Sequence, residues 1–145
     1  MALILNKKGI AILAKKISEK VKGGEVFLLE GNLGVGKTFL VKEIGKNLKA
    51  KNIKSPSFVI LDVHRTRKKF FLAHFDFYRL SLRDIKNFEW QEFIFNKNYL
   101  CFIEWGEKIR PLLKNKDFFK IKFKWVSPQK REIILSSNLE KWLEK

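Results

Sequence analysis

The sequence predicts an α/β fold, a three-layer sandwich with a mixed, mainly parallel sheet and one β-hairpin. Helix and strand patterns alternate at the start of the chain, which is typical of parallel strands joined by crossover helices. Segments 58–64 and 70–75 are strand patterns separated by a short basic stretch, which indicates a hairpin. A continuous apolar run at 99–103 is typical of a strand covered on both faces. The length of 145 residues fits one domain, and we expect residues 1–145 to form it.

Two helices and a strand are predicted in the first half of the chain. Apolar residues recur at helical spacing between 10 and 21, after a candidate N-terminal cap at Asn6, and Gly23-Gly24 ends this helix. Segment 26–29 is apolar throughout and is predicted to be a strand. Apolar residues between 40 and 48 then mark one face of a second helix.

The second half is predicted to contain short helices and a pair of strands. Segment 80–95 has the pattern of short helices, and the basic stretch 65–69 forms the tip of the predicted hairpin. In segment 119–125, lysines alternate with large apolar residues, which predicts a half-buried strand with one basic face. A turn at 127–130 leads to a return strand at 131–135. A last helix buries Leu139, Trp142 and Leu143.

Composition limits the classes of function. The net charge of +16 favours an acidic partner such as nucleic acid, although a lysine-rich bias of the whole proteome explains it equally well. No apolar run approaches the ~20 residues needed to span a membrane. Residues 1–8 do not resemble a secretory signal, so we expect a cytoplasmic protein. A single cysteine, Cys101, excludes a disulfide within the chain and, with two histidines, does not make a zinc site.

Residues 31–38, Gly-Asn-Leu-Gly-Val-Gly-Lys-Thr, match the phosphate-binding pattern G-x-x-x-x-G-K-[ST] between a predicted strand and a predicted helix. Glycines let backbone N–H groups approach phosphate oxygens, and the helix N-terminus attracts anions. Lys37 would reach the β- and γ-phosphates, and the Thr38 hydroxyl would bind Mg²⁺. The fold is therefore expected to be P-loop NTPase-like. The predicted nucleotide-binding residues are Asn32, Leu33, Gly34, Val35, Gly36, Lys37, Thr38 and Phe39.

A P-loop site also needs an acidic side chain at the end of a buried strand to hold Mg²⁺ or its waters. Glu104 directly follows the apolar run 99–103, and Asp76 ends the strand at 70–75. We predict that Glu104 is a metal ligand and that both acids are catalytic, although a helix or turn cap is the alternative for either. Trp105 follows Glu104 and could stack on an adenine ring or belong to the core.

Four segments together resemble one family, TsaE, the ATPase component of bacterial tRNA threonylcarbamoyladenosine synthesis. The segments are 31–38, 55–58 (Ser-Pro-Ser-Phe), 74–80 (His-Phe-Asp-Phe-Tyr-Arg-Leu) and 103–107 (Ile-Glu-Trp-Gly-Glu), in the order and at the spacing typical of the family. The likeness covers nearly the whole chain. It departs from the family at 87–92, where a frequent glycine is missing. A second departure is Gly106, which stands where the family often has proline.

This resemblance implies a small P-loop protein that binds ATP and Mg²⁺ and hydrolyses ATP slowly. It implies TsaD and TsaB as partners, with which the family supports modification of the adenosine beside the anticodon in certain tRNAs. Lys37 would hold phosphates, Thr38 and Glu104 would organise Mg²⁺, and Asp76 would assist hydrolysis. Residues 55–58 would form a switch-like segment near the γ-phosphate.

Three other classes were compared with this interpretation. A GTPase requires N-K-x-D, and both near matches, at 96–99 and 115–118, lack the aspartate at the fourth position. A small-molecule kinase is an alternative, since Asp76, Arg79 and Arg83 could serve an acceptor and a lid. A basic RNA-binding adaptor with a structural P-loop is another. We expect an ATPase whose hydrolysis resets a protein complex, because the phosphate site is complete and no acceptor pocket is recognisable.

Overall fold

The strands form one mixed sheet. The computed structural model describes residues 2–50, 53, 60–94, 96–113 and 117–145. Within this part of the chain the sheet has seven strands. They are β1 (Ala2–Leu5), β2 (Val26–Glu30), β3 (Leu61–Arg65), β4 (Phe71–Asp76), β5 (Tyr99–Glu104), β6 (Phe119–Ser127) and β7 (Lys130–Leu135).

The spatial order of the strands is β1-β7-β6-β2-β5-β4-β3. The four central strands, β6, β2, β5 and β4, pair in parallel. β3 pairs antiparallel with β4, and the β6–β7 and β7–β1 pairs are antiparallel as well. The predicted mixed sheet and hairpin are therefore confirmed, and β3 begins at Leu61, whereas positions 58 and 59 of the predicted strand lie outside the described residues.

Helices cover both faces of the sheet, which confirms the predicted three layers. On one face lie α1 (Lys7–Lys20), α2 (Lys37–Asn47) and α5 (Ser137–Glu144). On the other lie α3 (Leu82–Lys86), α4 (Gln91–Ile94) and two 3₁₀ turns, Gly106–Lys108 and Arg110–Leu112. None of the helices in the described ranges is long and apolar enough to cross a lipid bilayer.

The two faces of β2 belong to two separate hydrophobic clusters. Phe27 and Leu29 pack toward α1 and α2, whereas Val26 and Leu28 pack toward α3 and α4. All five residues of β2 are buried, because successive side chains of a strand point to opposite faces and here both faces are covered. Phe27 and Phe102 of the adjacent β5 stack with their ring centroids 4.9 Å apart. The strand that leads into the predicted phosphate loop is thus packed on both of its faces.

One strand was missed by the sequence analysis. Ala2–Leu5 pairs antiparallel with β7, and its four residues are too few for a periodicity to be recognised. The predicted cap of α1 is confirmed, since the Asn6 side chain accepts a hydrogen bond from the Gly9 N–H at 2.9 Å.

Two cations of the basic hairpin tip contact helix ends. The Lys68 ammonium donates to the carbonyls of Ser18 and Val21, both at 3.0 Å, at the C-terminal end of α1. Arg67 donates to the Asn47 carbonyl at 3.1 Å, at the end of α2. A cation is favourable at a helix C-terminus, so these two side chains attach the hairpin to the helices.

Candidate nucleotide-binding site

The predicted phosphate-binding loop joins β2 to α2 and depends on glycine at two positions. Gly36, the N-cap of α2, has a φ of 115°, in the left-handed region that favours glycine. A Cβ on Gly31 would lie 2.7 Å from the Phe123 carbonyl oxygen of β6. Val35 is buried, and its carbonyl accepts a hydrogen bond from Arg131 Nε at 2.9 Å. The loop is therefore held by β6 and β7 while its tip, Asn32 to Gly34, is exposed.

Lys37 places its ammonium group inside this loop. The residue is only 3% exposed, and its Nζ donates to the Gly31 carbonyl and lies 4.1 Å from the ring centroid of Trp105. Burial lowers the pKa of Lys37, although the charges of Glu104, Glu107 and Asp76 act in the opposite direction. A triphosphate would add several negative charges next to this buried amine.

Thr38 and Glu104 meet at the start of α2. The Thr38 hydroxyl donates to Glu104 Oε2 at 2.7 Å, and Glu104 ends β5 with 5% of its surface exposed. Burial alone would raise the pKa of Glu104. The hydrogen bond and charge of His74, the hydrogen bond from Thr38 and the charge of Lys37 together lower it by more, so the net shift is downward. The Glu104 carboxylate is thus charged at neutral pH and could bind a cation.

These two oxygen donors fit Mg²⁺ bound together with a nucleotide. Among the residues that the structure describes, no group of three or more His, Cys, Asp or Glu side chains could hold a metal ion by itself. Mg²⁺ prefers oxygen ligands and usually keeps waters and phosphate oxygens next to one or two protein groups. The Thr38 hydroxyl and the Glu104 carboxylate match that limited protein contribution.

His74 is the second partner of Glu104 and is fully buried. Its Nε2 lies 2.6 Å from the same Glu104 oxygen that accepts the Thr38 hydroxyl. Its Nδ1 has no hydrogen-bond partner in the described part of the chain. The sequence segment 74–80 is part of the family resemblance, but the sequence alone does not reveal that this histidine contacts the acid of the neighbouring strand.

Asp76 is the last residue of β4 and lies beside Glu104. The two acids are opposite each other in the parallel pairing of β4 and β5. Asp76 Oδ1 accepts a hydrogen bond from the Tyr78 N–H at 3.0 Å, which orients its carboxylate. Lys108 fixes the following segment by donating to the carbonyls of Phe77, Tyr78 and Leu80 at 3.0, 2.6 and 3.0 Å.

Trp105 lies beside Lys37, at the start of α2. Its ring is over the Lys37 ammonium and 5.0 Å, between centroids, from the Tyr78 ring. Because this lysine is the group expected to contact the β- and γ-phosphates, the position does not favour the predicted stacking of Trp105 on adenine. The backbone of Trp105 has a φ of 62°, which turns the chain sharply out of β5.

The site also contains charged residues for which the sequence analysis predicted no role. Arg110 forms an ion pair with Glu30, the buried last residue of β2. Burial raises the pKa of Glu107, and the neighbouring Glu30 raises it further. One carboxylate oxygen of Glu107 has no hydrogen-bond partner within the described ranges. No pattern in the sequence distinguishes these side chains from ordinary surface charges.

A cavity adjoins the loop on the side away from Glu104. It has a volume of 240 Å³ and is lined by Gly34, Gly36 and Phe39, the junction of β1 with α1, and the β6–β7 turn. The Lys7 ammonium lies 5.8 Å from the centroid of the Phe39 ring. The strand order explains the location, since β5 is on one side of β2 while β6, β7 and β1 are on the other. Residues 55–58, the expected switch-like segment, lie outside the described residues.

Comparison with known proteins decides the family. A model described as "Threonylcarbamoyl adenosine biosynthesis protein TsaE" matches residues 4–133. The chain belongs to the TsaE family. Proteins named tRNA threonylcarbamoyladenosine biosynthesis protein TsaE are similar to it. The protein from Rickettsia prowazekii is 39% identical over 116 residues, which cover 78% of each chain. That from Haemophilus influenzae is 31% identical over 140 residues, 96% of this chain and 86% of its own.

The fold agrees with a solved structure. YdiB from Bacillus subtilis superimposes with a TM-score of 0.75 at 25% identity, over 99% of this chain and 91% of that one. The resemblance to the TsaE family inferred from four short segments is therefore confirmed.

The charge of Glu104 predicts a pH dependence of stability. Because its pKa is lowered in the folded protein, the unfolded chain takes up this proton first as pH falls, so the stabilisation is present above pH 4.5 and is lost below it. Without Mg²⁺ or nucleotide, we expect the difference in free energy of unfolding between wild type and Glu104→Gln to shrink from pH 6.5 to pH 3.5. Urea denaturation at several pH values measures it.

The matched control is Glu144→Gln, which removes a carboxylate from the exposed end of α5. This control separates the effect of losing the Glu104 carboxylate from the effect of changing the net charge of the protein. We predict that the difference in free energy of unfolding between wild type and Glu104→Gln shrinks toward pH 3.5. If this difference stays constant or grows, the pKa of Glu104 is not lowered in the folded protein.

Proposed function

We propose that this chain is a single-domain ATPase, residues 1–145, that binds ATP and Mg²⁺ and hydrolyses ATP slowly. It supports tRNA threonylcarbamoyladenosine modification, at the adenosine next to the anticodon, together with TsaD and TsaB in the cytoplasm. The observation that carries the proposal is the contact of Thr38 with Glu104 beside Lys37, at a phosphate loop, in a member of the TsaE family.

In this proposal the chain's own groups bind and orient the nucleotide. Backbone N–H groups of the loop and the N-terminus of α2 face the phosphates, and Lys37 contacts the β- and γ-phosphates. Thr38 and Glu104 hold Mg²⁺, which when bound neutralises charge on the β- and γ-phosphate oxygens. Asp76, two strands away from the loop and next to Glu104, orients the attacking water.

The contacts of two arginines support the proposal of slow hydrolysis by the chain alone. Arg110 is paired with Glu30, and Arg131 donates to the Val35 carbonyl. Phosphoryl transfer is greatly accelerated by a cation that stabilises the charge of the transition state, often supplied by a partner protein. We therefore propose that the partner proteins raise the rate.

The cavity beside Phe39 is the proposed place for the base. The loop lies between Glu104 on one side and this cavity on the other, so a nucleotide with its γ-phosphate near Lys37 would extend toward the cavity. The Phe39 ring and the apolar side chains of Leu5 and Ile10 provide a surface for a flat heterocycle.

The base cavity is tested with two ligands that differ only in the nucleoside. We expect Phe39→Ala to weaken ATP binding about tenfold, roughly 1.4 kcal/mol, and to leave inorganic tripolyphosphate binding unchanged, by isothermal calorimetry with Mg²⁺. Phe71→Ala, on β4 and packed against Tyr99, is the control for general loss of stability. An equal loss for both ligands would mean that Phe39 supports the loop instead, and no loss for ATP would remove it from the base site.

The proposed function is tested by ATP hydrolysis of the purified chain, alone and with TsaB, TsaD and tRNA. We expect weak activity alone and a rise of at least about tenfold with all partners, because they complete the site. Thr38→Ala measures contaminating ATPase. Activity that ignores the partners, or phosphate transfer to a metabolite at a normal kinase rate, would contradict the proposal.

A further inference from the structure

In the part of the chain that the structure describes, Glu104 makes two side-chain hydrogen bonds, and both use the same oxygen. Oε2 accepts from the Thr38 hydroxyl at 2.7 Å and lies 2.6 Å from His74 Nε2. The three groups come from α2, β5 and β4, so they connect the phosphate loop to the two neighbouring strands. Of the two partners, Thr38 is itself an expected ligand of the metal ion, since its hydroxyl can donate to Glu104 while an oxygen lone pair faces the ion. His74 is the partner that has no expected contact with the metal ion.

We propose that His74 is a positioning residue, which holds Glu104 through its Nε2–H so that the carboxylate faces the metal of the bound nucleotide. The inference rests on the proposed Mg²⁺–nucleotide function and adds a residue to it. Histidine acts here through another side chain, in the manner in which residues behind metal ligands commonly orient them.

The contacts of the imidazole place a hydrogen on Nε2. Glu104 Oε2 is an acceptor, so His74 Nε2 must carry a hydrogen, while Nδ1 has no partner among the described residues. The hydrogen on Nε2 is the donor through which the ring holds the carboxylate.

Stability alone gives no reason for a histidine at this position. The side chain is 0% exposed, and Leu72, two residues earlier on β4, belongs to the hydrophobic cluster beneath α2. An apolar residue would fill the same kind of space without the cost of burying a polar ring with an unpaired nitrogen. Among the described residues, the polar contact of the ring is with the predicted metal ligand.

The role of His74 is tested with two variants that differ in the hydrogen bond. In His74→Gln a side-chain amide can donate from about the place of Nε2, whereas His74→Leu fills part of the volume and donates nothing. By calorimetry with ADP, we expect His74→Leu to need at least about tenfold more Mg²⁺ for half-maximal binding. We expect His74→Gln to stay within about threefold of wild type, and ADP affinity in EDTA to be unchanged in both.

Leu72→Val is the matched control, on the same strand and face but without a polar contact. It reports what a packing change on β4 does to the Mg²⁺ requirement, and thermal unfolding shows whether each variant is folded. An unchanged Mg²⁺ requirement in folded His74→Leu, or equal increases in His74→Leu and Leu72→Val, overturns the positioning role.

A second measurement needs no variant and no metal. Nitrogen chemical shifts of ¹⁵N-histidine in the metal-free wild type show which ring nitrogens carry a hydrogen, and we expect a hydrogen on Nε2 of His74. A hydrogen on Nδ1 alone overturns the proposal. The outcomes for the function are separate: if the wild type binds ADP no better with Mg²⁺ than in EDTA, the proposed function fails, whatever the tautomer of His74.

Discussion

The parallel register of β2, β5 and β4 is the constraint on which the site depends. It sets Leu29 opposite Glu104 and Glu104 opposite Asp76. Because the carboxyl ends of parallel strands lie at the same edge of a sheet, the phosphate loop and both acids meet there. A shift of one residue in either pairing would turn these side chains to the opposite face of the sheet. The buried apolar residues of the central strands fix this register.

The register also explains how charged groups can be buried at the edge. Lys37 and Glu104 are nearly inaccessible, which by itself disfavours both charges. Hydrogen bonds to Gly31, Thr38 and His74 and the proximity of opposite charges offset part of that cost. Burial nevertheless lowers the pKa of Lys37, although the charges of Glu104, Glu107 and Asp76 oppose this shift. A site of this kind gains most from a ligand that brings several negative charges, such as a triphosphate.

The sequence predicted the parts of the site that are local in the chain. The glycine pattern at 31–38 and an acid after an apolar strand depend on short-range chemistry, and both Glu104 and Asp76 lie where they were expected. The partnership of His74 with Glu104 joins residues 30 positions apart and has no local pattern. β1 is too short to show a periodicity. The contact between the Trp105 ring and the Lys37 ammonium depends on the left-handed backbone of Trp105, which cannot be predicted from a tryptophan in the sequence.

The central claim is that Lys37 binds phosphate whereas Asp76 acts later, in hydrolysis. Calorimetric titration of a non-hydrolysable ATP analogue with Mg²⁺ tests it on wild type, Lys37→Ala and Asp76→Ala. Removing the lysine deletes charge-assisted hydrogen bonds of about 1.5–3 kcal/mol, so its affinity should fall at least about tenfold. Asp76→Ala should bind within about twofold of wild type, because its effect is expected chiefly in the transition state. Equal losses in both variants, or none in Lys37→Ala, would contradict this account.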